Sequence, residues 1–162
     1  SIQNNNNIIE RIQFGSKMGL NPLTLLITSS NNPFYLATRL KISHHERLLI
    51  KKVIDFEEWI NQISSNSQCE NWDPSSWTKE IEENNWSKDV VALAITLDIN
   101  HSQILYEWWS KWRHIQSPIS AHQLIKEGWE PGIRLGSELR RLRGIKINET
   151  VNQFKTNKNK LD

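Results

Sequence analysis

The chain has 162 residues and a mass of 19.0 kDa, enough for one full-sized domain or for two small packed layers of helices. Hydrophobic residues at 37% and charged residues at 23% exclude a wholly disordered chain, and only 6 Gly and 5 Pro argue against a barrel or sandwich with many tight turns. The net charge of +2 names no partner by itself, and the single cysteine, Cys69, excludes an intrachain disulfide and a cysteine metal cluster.

Asn4 to Asn7 reads as a frayed start or linker, and Ile8 to Leu20 has helical potential with Ile8, Ile9 and Ile12 on one side. Pro22 opens a helical turn through Thr28, and Pro33 opens another through Leu40. Ser43-His44-His45-Glu46 has the form of a capping box, and behind it Leu49, Val53, Phe56 and Ile60 predict a long amphipathic helix ending near Ile63. Ser64 to Asp73 is polar and loop-like. Asp73-Pro74 starts the next helix, and another follows Ser87, with Val90, Val91, Leu93, Ala94 and Leu97 as core material. From Asn100, the residues Ile104, Leu105, Trp108, Trp109 and Trp112 form one apolar side of a further helix, which Pro118 breaks. Ser120 caps a short helix to Glu127, Gly128 closes it, and Pro131 opens the last one. No β-alternation of useful length occurs. The expected fold is all-α: a multi-helix, bundle-like body over 1–117, a small helix–turn–helix tail over 118–150, and a basic, disordered end over 151–162. It holds about seven to nine helices.

Charge is distributed unevenly. From Arg134 to Lys146 there are five basic residues (Arg134, Arg140, Arg141, Arg143 and Lys146) against one acid, Glu138, whereas Glu70 to Glu83 leans acidic. Such a pattern makes a local positive surface on a nearly neutral protein. In the last helix Leu135, Leu139 and Leu142 make a narrow buried stripe; Gly136, Arg140 and Arg143 lie on one flank, Arg134 and Arg141 on the other. A glycine beside two arginines lets another backbone come close while guanidinium groups bind it, which suits a phosphate chain. A solvated basic face that contacts nothing has the same pattern. Pro131-Gly132 resets the backbone so that the free N–H groups of the helix start form a potential anion site.

The run Ser120 to Arg143, which contains Gly128-Trp-Glu-Pro-Gly-Ile-Arg-Leu-Gly136, resembles the C-terminal part of the class II CCA-adding enzymes and bacterial poly(A) polymerases. The family pattern is roughly G-x-D-L-I-x-x-G-x-x-P-G-x-x-[LI]-G-x-x-L-x-x-L. Leu124, Ile125, Gly128, Pro131, Gly132, Leu135, Gly136, Leu139 and Leu142 match it in spacing over about 24 residues. Ala121 and Gln123 stand where Gly and Asp are usual. The resemblance implies a head, neck, body and tail, of which the later parts hold the tRNA acceptor–T arm. It implies a head that transfers nucleotides with magnesium on a D-x-D pair, and no Asp-x-Asp occurs in this chain. The expectation is therefore an RNA-binding region with no catalytic, metal or cofactor site of its own. Mg2+ and nucleoside triphosphates belong to an absent head.

Lys126, Arg134, Gly136, Arg140, Arg141, Arg143 and Lys146 are the expected RNA-facing residues, and Gly128, Pro131 and Gly132 hold the motif's geometry. His122 could add to that surface, and Lys155, Lys158 and Lys160 would form a mobile basic tail that touches phosphates without reading sequence. His44-His45 lacks the further His and Asp ligands that a metal site needs and reads as surface at a helix start. Aromatic rings can stack on bases, but Trp108, Trp109 and Trp112 at helical spacing read first as core. The rival to tRNA binding is a helical protein-interaction or dimerisation module with those tryptophans as its contact face. No apolar run approaches a membrane span, so a cytoplasmic chain without a membrane partner is expected.

Overall fold

The computed structural model describes residues 2–158, with side chains over residues 7–152. Every regular element among them is helical, and the fold is all-α as expected. In chain order these are α1 (Ile2–Lys17), α2 (Pro22–Thr28), α3 (Pro33–Arg39), α4 (His44–Ser65), α5 (Pro74–Glu83), α6 (Lys88–Thr96), α7 (Ser102–Ser110), a 3-10 turn (Trp112–His114), α8 (Ala121–Lys126) and α9 (Ile133–Lys158). α1 begins at Ile2, ahead of the expected start at Ile8, because extending an existing helix through asparagines costs only their modest propensity. The side chains of Lys155, Lys158 and Lys160 lie outside the described residues.

The chain divides into two compact units, each made of two chain segments: Ser1–Gln68 with Trp86–Trp109, and Cys69–Asn85 with Ser110–Asp162. Pro118, the boundary suggested by sequence, lies inside the second unit, which also takes in α5.

The first unit is built around α6, whose residues from Val90 to Thr96 are all buried. A helix apolar on every side needs neighbours on every side, and α4 and α1 pack on it. α4 contributes Ile50, Val53, Phe56, Ile60 and Ile63; Leu49, expected on this stripe, is half-buried and Ile50 takes the inner place. Trp86 meets the Phe56 ring edge-on at 5.1 Å and the Trp59 ring at 5.9 Å. Gly15 lets α1 approach α2, since a Cβ there would stand 2.5 Å from Leu25 Cδ1. Ser43 caps α4 as expected, accepting from Glu46 N at 3.2 Å. The Glu46 carboxylate, however, accepts from Asn21 Nδ2 and from Thr24 Oγ1, fastening the start of α2 to the start of α4.

The second unit pairs α5 with α9 and α8 with α9. Asp73 caps α5, accepting from Ser76 N at 2.7 Å, with Pro74 at the first helical position. Trp77, Thr78 and Ile81 are the buried residues of α5; Trp72 meets the Trp77 ring edge-on at 5.0 Å. Trp108 is core in the first unit and Trp112 core in the second, while half-buried Trp109 donates from Nε1 to the Lys88 carbonyl. Glycine is scarce, so α3, α4, α5 and α6 end on left-handed residues that carry side chains, Lys41, Ser67, Asn85 and Asp98, with φ from 49° to 57°.

Candidate nucleic-acid interface

The hairpin that carries the family resemblance folds as a helix, a tight turn and a long helix. Ser120 accepts from Gln123 N while Gln123 Oε1 accepts from Ser120 N at 2.9 Å, a complete capping box. Gln123 therefore has a local task at the position where the family pattern carries Asp. At the other end Gly128 takes φ +99°, Trp129 N donates to Leu124 O, and Gly128 N donates to Ile125 O, both at 3.0 Å. These bonds satisfy carbonyls that the helix end leaves open, and the left-handed turn suits glycine. Pro131 and Gly132, the latter at φ +151°, stand in the turn rather than in the helix, which opens at Ile133. Gly136 N then donates to Gly132 O at 3.1 Å.

On α9 Leu135 is buried, Leu139 and Leu142 are half-buried, and Ile147 is the most enclosed side chain. The glycine that admits a neighbour is Gly144: a Cβ there would meet Ser75 Cβ on α5 at 3.3 Å. At Gly136 a Cβ would meet only the end of the Arg140 side chain, at 3.6 Å. Packing within the chain is thus tight at 144 and leaves Gly136 without such a constraint.

The basic residues fall into two groups. Arg143 is spent inside the second unit. Its Nη1 and Nη2 hold the Glu82 carboxylate at 2.6 and 2.9 Å, its Nε donates to Ile115 O at 2.7 Å, and Nη2 also reaches Arg113 O at 3.4 Å. Arg141 grips Glu138 through Nε at 2.8 Å and Nη2 at 2.6 Å on the exposed side of the helix. That hydrogen-bonded pair lowers the Glu138 pKa and raises the Arg141 pKa. By contrast Lys126, Arg134, Arg140 and Lys146 are exposed and have no carboxylate partner among the described residues. Arg140 only donates to Ser137 Oγ, at 3.3 Å.

Arg140 borders two depressions. One, of about 480 Å3, lies between the 116–120 segment, the start of α8, and Leu139, Arg140 and Arg143. The other, of about 870 Å3, runs between α5 and α9 and includes Lys79, Glu82, Glu83, Arg140, Arg141 and Asn148. Only the second carries carboxylates. Asn148 anchors α9 to the start of α5: its Nδ2 donates to Asp73 Oδ2 at 2.8 Å and to Ser75 Oγ at 3.1 Å, and its Oδ1 accepts from Ser75 N at 3.0 Å. Burial would raise the Asp73 pKa, but the hydrogen bonds from Ser76, Ser75 and Asn148 outweigh it and lower the pKa.

Sequence shows Glu80, Glu82 and Glu83 only as a helical cluster of acids without a phosphate-binding loop, and it does not single out Gly144 or Asn148. An isolated glycine inside a helical pattern is itself a packing signal, which marks Gly144. Nothing local marks Glu82, whose arginine lies 61 residues away. His44 and His45 are exposed at the start of α4, while half-buried His101 pairs with Ser64 Oγ at 2.9 Å. No group of three His, Cys, Asp or Glu among the described residues could hold a metal ion, and no helix there is long and apolar enough to cross a membrane. No known protein family, curated protein or solved structure matches the chain.

Proposed function

We propose that this chain is the RNA-binding C-terminal region of a tRNA nucleotidyltransferase or poly(A) polymerase-like enzyme, which holds the tRNA acceptor–T arm for addition of nucleotides to its 3′ end. The observation that carries the reading is Arg140. It is exposed and without a carboxylate partner, and it lies one helical turn beyond Gly136 in a hairpin whose glycines and proline have the family's spacing. Arg134, Lys126 and Lys146 add charge, and recognition rests on phosphates and 2′-hydroxyls because duplex RNA offers such a surface little base information. Arg141 and Arg143 contribute less direct contact, since each already holds a glutamate. Nucleotide transfer, with its Mg2+ and nucleoside triphosphate, belongs to a head outside this sequence, and this region acts on it by orienting the 3′ end. A cytoplasmic location follows from the same reading.

Titration of the chain with tRNA at several salt concentrations tests the proposal. Binding should weaken steeply as salt rises, and the Arg134→Glu, Arg140→Glu double variant should bind poorly. Absence of tRNA binding at low salt would overturn it. The rival reading, a protein-interaction module, loses its tryptophan face because Trp108 and Trp112 are buried. It gains another in the exposed Leu23, Leu26, Phe34, Tyr35 and Leu40 of α2, α3 and the turn after them. Sedimentation of the isolated chain separates the two: self-association without tRNA binding would favour the rival.

A further inference from the structure

The two depressions beside Arg140 differ in what their walls offer RNA. In the cleft between α5 and α9 the lining charges are largely paired with one another, Glu82 with Arg143 and Glu83 with Lys79 at 3.9 Å. The smaller depression has no acidic residue in its lining. Its floor and sides combine the apolar Pro118, Ile119 and Leu139 with the amide of Gln116 and the guanidinium of Arg140. Arg143 also borders it, already neutralised by Glu82. Gln123 lends its carbonyl oxygen to the α8 cap, which leaves its amide N–H groups available on the rim. At about 480 Å3 the space falls in the range that encloses a small ligand rather than a duplex.

We infer that this depression is a subsite for one unpaired nucleotide of an RNA strand, with the base against Leu139, Ile119 and Pro118 and its phosphate on Arg140. The inference rests on the RNA-binding reading above and narrows it. Duplex backbone could satisfy Arg140 alone, whereas a depression that sets aliphatic side chains and amides beside that cation fits a base that has left its stack. Amide groups at the edge match the donor and acceptor edge of a base. The preference for an unpaired nucleotide should be local to this pocket, while general phosphate attraction is shared with Arg134 and the lysines.

The test uses the full chain and two RNA hairpins of identical stem, one blunt and one with a short unpaired 3′ extension, followed by fluorescence anisotropy. The extended hairpin should bind about tenfold tighter, the scale of burying one face of a base against aliphatic side chains. Ala121→Leu and Gln116→Leu, both at exposed positions lining the pocket, should each abolish that preference by filling the space without an aromatic ring, while leaving blunt-hairpin binding and its salt slope unchanged. Circular dichroism shows which variant is folded, and either folded variant suffices. Equal binding of both hairpins by the unaltered chain, or a preference that survives in a folded variant, would overturn the subsite but leave RNA binding standing. Binding of neither hairpin at low salt would overturn the RNA reading as well. Adenosine 5′-monophosphate and uridine 5′-monophosphate serve as the third arm. Binding of either as tight as that of the extended hairpin would assign the pocket to free nucleotide and overturn the strand assignment.

Discussion

Arg143 and Arg140 are three residues apart on one helix, and their surroundings give them different work. Four hydrogen bonds hold the Arg143 guanidinium to Glu82 and to two backbone carbonyls. Removing it leaves two backbone carbonyls without their donor and returns the exposed Glu82 carboxylate to water, so Arg143→Ala should destabilise by about 1–2 kcal/mol in urea unfolding. Arg143→Lys should recover only part of this, because a point charge cannot reproduce the planar fork. Asp73 and Glu138 both contribute to the pH dependence of the same unit. Hydrogen bonds hold the Asp73 carboxyl below the ordinary carboxylate range, so the stability it contributes is present above that range. It is lost as pH falls through the lowered value. An unfolding series from neutral pH into acid should show this loss, and Asp73→Asn should make that limb of the curve shallower.

At the level of elements the two α9 glycines make opposite predictions. Gly136→Ala meets only a flexible arginine end and gains helix propensity, so it should stabilise by about 0.5–1 kcal/mol. Gly144→Leu pushes into Ser75 on α5 and should destabilise by about 1–3 kcal/mol. Ser67 ends α4 in a left-handed conformation at φ 53°. Ser67→Gly should raise thermal stability by about 0.5–1 kcal/mol, the balance of relieved strain against added chain entropy. Helices were the legible part of the sequence, because caps such as Ser43, Asp73 and Ser120 and the three- and four-residue spacing of Val53, Phe56 and Ile60 are local signals. Left-handed ends at Lys41 or Ser67 gave no such signal, since those residue types adopt that conformation only when the next contacts demand it.

For the whole molecule, the basic run from Arg134 to Lys146 was legible as charge but not as a surface. Sequence counts Arg141 and Arg143 as equal to Arg140, and only the fold shows Glu138 and Glu82 already occupying them. The slope of log binding against log salt should therefore fall by about 0.9 for each lost phosphate contact in a duplex-like arm. It should change for Arg140→Gln and far less for Arg141→Gln. A slope that responds equally to both would show that the Glu138 pair opens on binding. The assignment of α5 was equally hidden. Its partner face is supplied by Ile147, Gly144 and Asn148, more than sixty residues later.

The bond between Asn148 and the start of α5 spans 73 residues, and it bears on how the chain is made. During synthesis α5 leaves the ribosome long before α9 exists, so Trp77 and Ile81 must wait without their eventual cover. A nascent chain halted soon after Trp112 should be open to protease within α5, and one extended past Asn148 should be closed to it. The last helix is then the piece that completes the second unit, and the moment of its arrival sets when that unit becomes resistant to degradation.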